Sequence, residues 1–201
     1  PFDPFPYRRR ESAEADLDLN DYKCGGEQPI RVIVTKATWE KVAPKISPKA
    51  DVRPEGIYED LNLLELDPTQ EISSDQINCD TQLVTVRDGV NLPVITAFRL
   101  LALKLKQAGR RNPILLKDCL GFGPIGKADS SALPANRAPE ADKSAVPLEP
   151  KIALLRASVN LGALICDGLG DAILVRGEAG GGQSLRLAYN ILQAAGSRSF
   201  K

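Results

Sequence analysis

From Gln82 onward the apolar positions alternate between short runs and helical stripes. Gln82 to Arg87 (QLVTVR) is a β-branched run that predicts a strand. Pro93 to Ala108 predicts a helix, with Pro at its start and Gly109 where a helix stops. Its Val94, Phe98, Leu101, Leu105 and Ala108 recur at three- and four-residue steps and form one buried stripe. Ile114 to Leu116 predicts the next strand, followed by Lys117-Asp118-Cys119 and a turn through Gly121, Gly123 and Gly126. Lys151 to Ile165 predicts a second helix, with Ile152, Leu155, Val159 and Leu161 to Leu164 as its apolar side. A strand at Ala172 to Val175 and a helix at Ser184 to Ala195 complete the series. Repeated βα units of this kind imply an α/β fold with a parallel sheet, either a barrel or a doubly wound sheet.

The first half is less regular. Ile30 to Thr35 (IRVIVT) predicts a strand, and Thr38 is placed to cap a short helix from Trp39 to about Val42. Leu61 to Leu66 (LNLLEL) predicts another strand, ended by Asp67-Pro68, and the polar stretch from Thr69 to Asp80 has no clear assignment. Residues 1–29 read as an extended lead-in from a preceding domain, in which Arg8-Arg9-Arg10 is a solvated charge cluster or a phosphate contact. Residues 30–201 then form a single βα domain. Prolines at 124, 134, 139, 147 and 150 predict a long mobile loop at about 124–150.

Composition narrows the chemistry. The chain has 201 residues, no net charge and no histidine, which removes the commonest general base and the commonest metal ligand. Eight acids and no base lie between Glu55 and Asp80, and six bases and no acid between Phe98 and Lys117, so two faces of opposite sign are expected. The zero balance gives no reason to expect nucleic acid or a membrane as partner. No apolar run is long enough to span a bilayer. The four cysteines, Cys24, Cys79, Cys119 and Cys166, are scattered without a CxxC pair and read as buried thiols of a reducing compartment. With no methionine and abrupt ends, the chain reads as cut from a longer protein.

Two motifs stand out. DGLGD (Asp167, Gly168, Gly170 and Asp171 at its fixed positions) lies between a helix and a strand, at the end of a parallel sheet that serves stability rather than catalysis. It is expected to be a structural turn. The loop GEAGGGQS, from Gly177 to Ser184, lies at the opposite end of the same strand, before a helix N-terminus. There the amides of Gly180, Gly181 and Gly182, with Lys117, could cradle a phosphate; a plain surface loop is the competing reading. Lys117-Asp118 is either a catalytic pair or a structural ion pair. No triad, zinc motif or convincing pair of catalytic acids is present, so no catalytic residue and no metal ligand is assigned.

LGALICDGLGDAILV followed by AYNILQAAGSRSFK resembles a segment of 4-hydroxy-3-methylbut-2-enyl diphosphate synthase, the iron–sulfur enzyme of the methylerythritol phosphate route to isoprenoids. Asn190-Ile191-Leu192-Gln193 is similar to the helix that, in the large three-domain form, leads into the cluster-binding cysteines. PFDPFPYRRR is similar to the stretch leaving that enzyme's first barrel. The resemblance implies a TIM-barrel-like insert domain with a structural role, spacing a substrate barrel and a cluster domain and inactive alone. It implies no cofactor in this chain and a four-iron four-sulfur cluster in the parent, which reductively dehydroxylates 2-C-methyl-D-erythritol 2,4-cyclodiphosphate. Implied partners are the preceding and following domains, with ferredoxin or flavodoxin as electron donor. The implied location is the cytoplasm, or the plastid in a plant.

Overall fold

The computed structural model describes residues 8–17, 21–47, 50–72, 76–77, 79–121, 150–176 and 180–199. The loop expected at 124–150 therefore falls outside the described residues, apart from Pro150 at the start of a helix.

An antiparallel hairpin, β1 (Ala15–Leu17) and β2 (Tyr22–Cys24), comes first. Next are β3 (Arg31–Val34), helix α1 (Lys36–Val42), β4 (Gly56–Ile57) and β5 (Leu63–Leu66). The regular part follows: β6 (Leu83–Val86), α2 (Val94–Gln107), β7 (Leu115–Lys117), α3 (Pro150–Cys166), β8 (Ala172–Leu174) and α4 (Gly181–Ala194). Four strands form a parallel sheet in the order β4-β3-β8-β7, and β5 pairs in parallel with β6. A parallel bridge between Val84 and Ile114 links the two sheets at β6 and the start of β7. Among the described residues no pairing joins β4 to β5, so no closed barrel is present.

The strands are apolar on both faces, and their alternate residues enter two different cores. Val32, Val34, Val84, Val86, Ile114, Leu116, Ile173 and Val175 pack outward with Phe98, Leu101, Leu105, Leu161, Leu164, Leu185 and Leu192. Ile33, Leu83, Leu115, Ala172 and Leu174 pack inward with Ala15, Leu17 and Cys24, so the hairpin fills the inner face of the sheet. The lead-in contributes to the core because β1 and β2 each place their alternate apolar residues there.

Two helices differ from expectation at their starts. Helix α1 begins three residues early because Thr35, not Thr38, is the cap: its hydroxyl accepts the Thr38 amide at 3.2 Å. Helix α4 begins inside the glycine run, with Ser184 N–H donating to Gly180 C=O at 2.8 Å. In α3 the orientation differs. Ala153, Ala157, Leu161, Leu164 and Ile165 face inward, while Ile152, Leu155 and Val159 are exposed. Small residues let the helix lie close to its neighbours, and the larger side chains turn outward.

Candidate functional site

DGLGD sits at the N-terminal end of β8, beneath the incoming chain. Gly168 (φ +77°) and Gly170 (φ +100°) both have left-handed backbone, which closes α3 and turns into the strand. Gly168 also lets the chain cross: Arg10 N–H donates to Gly168 C=O at 2.8 Å, and a Cβ on Gly168 would stand 2.2 Å from the carbonyl oxygen of Arg8. Asp171 is the hub. One of its oxygens accepts Arg9 Nη2 at 2.9 Å and Ser12 Oγ at 2.7 Å, and the other accepts Ile114 N–H at 2.9 Å. Asp167 makes a separate, exposed pair with Arg99 at 2.7 Å.

Arg9 and Arg10 are thus tied down rather than simply solvated. Arg9 also donates to Gln28 C=O at 2.6 Å, and Arg10 to Asn112 C=O at 2.8 Å. At the same end of the strands the outgoing chain is held by Arg198, which grips Glu55 at 2.6 and 3.0 Å and reaches Ile30 C=O at 3.3 Å. Glu55 is buried, pairs with Arg31 at 3.0 Å and accepts Val32 N–H.

The opposite end carries a second charged group on the inner face. Lys117 is fully buried, and its ammonium lies 2.9 Å from Asp88 and 3.7 Å from Glu65. Arg176 forks onto both Asp88 oxygens at 2.8 and 2.6 Å and donates to Cys119 C=O at 2.7 Å. Tyr58 donates to Glu65, and its ring lies 5.8 Å from the Lys117 ammonium. Burial would raise the Asp88 carboxyl, but the bonds from Arg176 and Lys117 outweigh it and hold it below its ordinary value. Burial lowers Lys117, against the pull of Asp88. Burial and the Glu65 bond push the Tyr58 hydroxyl up. The Asp118 carboxylate is turned away to accept Arg176 N–H at 2.8 Å, so Lys117 and Asp118 are not each other's partners. Both cations of the cluster are committed to carboxylates, while the buried Arg176 Nε finds no hydrogen-bond partner among the described residues.

Gly180, Gly181 and Gly182 line a groove of about 860 Å³ between α1 and α4, with Lys41, Lys45 and Arg186 at its edges and Val42, Ile46, Val52 and Leu185 beneath. Lys117 is not among its lining residues. The sequence thus grouped one lysine with three glycines that the fold places in separate environments.

The cysteines do not converge. Cys24 is buried under β8 and β3, Cys119 follows β7 at the other end of the strands, and Cys79 and Cys166 are exposed. Among the described residues no group of three His, Cys, Asp or Glu side chains could hold a metal ion.

No family model matches the chain. A relative does: 199 residues, 98% of the chain, are 31% identical to the 4-hydroxy-3-methylbut-2-en-1-yl diphosphate synthase (flavodoxin) of Akkermansia muciniphila. The chain is homologous to part of this synthase. It spans 29% of the relative's length. The match to the synthase runs through the whole chain, including the middle, where sequence motifs alone pointed to nothing. DGLGD and the Lys117 network both lie within that matched span, one at each end of the strands.

Proposed function

We propose that this chain is the insert domain of a large, three-domain 4-hydroxy-3-methylbut-2-enyl diphosphate synthase, with residues 1–29 as the lead-in from the preceding domain, its hairpin packed into the core of the insert formed by 30–201. The observation that carries this is the near full-length match to a relative more than three times longer. The parent enzyme opens and reductively dehydroxylates the cyclodiphosphate on a four-iron four-sulfur cluster, with flavodoxin or ferredoxin supplying electrons, in the cytoplasm. The flavodoxin in the relative's name supports the donor class. No helix among the described residues is long and apolar enough to cross a membrane.

The role of the insert is structural. The buried carboxylates of Glu55, Asp88 and Asp171 each pair with cations of the same chain, and both flanking stretches are tied to one end of it. The reading extends to a barrel-like ring. The pairings β3-β4, β5-β6, β6-β7, β7-β8 and β8-β3 follow chain order, and β4 with β5 then acts as one bent strand joining the two sides. The hairpin inside the sheet supports this, since it occupies the place of a barrel's filled interior.

The test is reconstitution. The isolated chain is expected to fold, to take up no iron–sulfur cluster and to leave the cyclodiphosphate unchanged. The complete polypeptide is expected to fold, to take up the cluster and to convert the cyclodiphosphate. A cluster assembled on the isolated chain would overturn the reading.

A further inference from the structure

Helix α3 is apolar on two opposite sides. Ala153, Ala157 and Leu161 lie inward; Leu155 and Val159 each lie two residues further on, about 200° around the helix axis, and Ile152 falls beside them on the same outer side. Ile152, Leu155 and Val159 are 48%, 62% and 52% exposed. A helix apolar all round belongs in an interior. Yet nothing among the described residues covers this side. Asn160, next to Val159, donates to Asp118 C=O, just past the end of β7, at 3.0 Å, so this part of α3 lies at the C-terminal end of the strands.

We propose that the outer stripe of α3 docks against another domain of the same polypeptide. This inference rests on the insert-domain reading and adds a surface to it. Seven-tenths of the matched relative lies outside the matched span, which supplies a partner at high local concentration. The incoming and outgoing chain are tied at the far end of the strands by Arg9, Arg10 and Arg198, where a neighbouring domain would join. A domain of ordinary size, about 40 Å across, reaches from there to Val159. Lys151 borders the stripe, so the matching surface is an apolar groove with an acidic group at its rim.

The experiment places one cysteine on the stripe by Val159→Cys, in a background with the exposed Cys79 and Cys166 changed to Ser. Maleimide labelling is timed in the complete polypeptide and in the 201-residue chain. The expected result is labelling at least about tenfold slower in the complete polypeptide, because docking excludes the reagent. Adding Leu155→Asp restores the rate of the chain alone. Equal rates in the two proteins overturn the proposal. So does slow labelling of the chain alone: if dilution relieves it, the occupant is a second copy, and if not, the chain covers its own stripe. Iron content and turnover are measured on the same complete polypeptide. Protection without iron would leave the docking surface standing and remove the synthase reading; iron without protection would do the reverse.

Discussion

The bare Cα of Gly168 faces the carbonyl oxygen of Arg8 so closely that a methyl group there would sit 2.2 Å from it. Gly168→Ala therefore meets a left-handed backbone and a backbone collision together. The expected loss is roughly 2–4 kcal/mol of folding stability, more than a left-handed alanine alone costs. The urea midpoint measures it. A change under about 1 kcal/mol would mean that residues 8–12 do not lie on the DGLGD turn in solution.

Asp171 ties the incoming chain to two strands, and its three donors are unequal. Ser12→Ala removes one neutral donor and should cost about 1 kcal/mol. Asp171→Ala leaves Ile114 N–H and Arg9 without their acceptor and should cost about 3 kcal/mol, with Arg9 partly relieved by water. The two costs should not add in the double variant, because the serine's partner is already gone. Chemical denaturation of the three variants tests this.

The Lys117 network makes an asymmetric prediction. Lys117→Met removes one cation while Arg176 still neutralises Asp88, so the loss should stay near 1–2 kcal/mol. Asp88→Ala strands two buried cations and should cost about 3–5 kcal/mol. Equal losses would show that the two cations do not share Asp88. Because Asp88 is held below its ordinary value, its contribution is present above the unfolded carboxylate range. It is lost as pH falls through the lower folded value. Wild-type stability should therefore drop below about pH 4, and Asp88→Asn should flatten that drop.

Thiol chemistry supplies an alkaline counterpart. Burial, with Asp171 nearby, pushes Cys24 up to about 12, and burial, with Asp118 beside it, pushes Cys119 up to about 11. An acid whose folded value is raised costs stability once pH exceeds its unfolded value, near 8.5. Unfolding midpoints should fall between about pH 9 and 11, and Cys24→Ala should lessen the fall after allowance for its lost packing. With a thiol reagent at neutral pH, Cys79 and Cys166 should react first and Cys24 only on unfolding.

The βα alternation after Gln82 was readable because each strand is a short apolar run and each helix carries a stripe with its own stop. What escaped has local physical causes. β1, β2 and β4 are two or three residues long, too short for a period to appear, and their strand character comes from pairing and burial. In α3 the stripe of large side chains outweighed the stripe of alanines in the pattern, although the alanines are the ones the fold buries. The position of DGLGD at the N-terminal end of β8 followed from strand polarity. Its partner, Arg9, lies 162 residues away from Asp171, and no local spacing could reveal it. Lys117 sat beside Asp118 in sequence, but alternation along β7 sends the two side chains to different partners.

Arg9 reaches the carbonyl of Gln28 and Arg198 that of Ile30, so the incoming and outgoing stretches are fastened only two residues apart along a third segment. On the proposed reading as an insert, a host polypeptide interrupted at this point would keep its severed ends side by side, and the addition need not pry its own fold open. The same proximity makes the chain a natural subject for circular permutation, with a short linker from Ser199 back to Arg8 and new ends opened elsewhere on the surface.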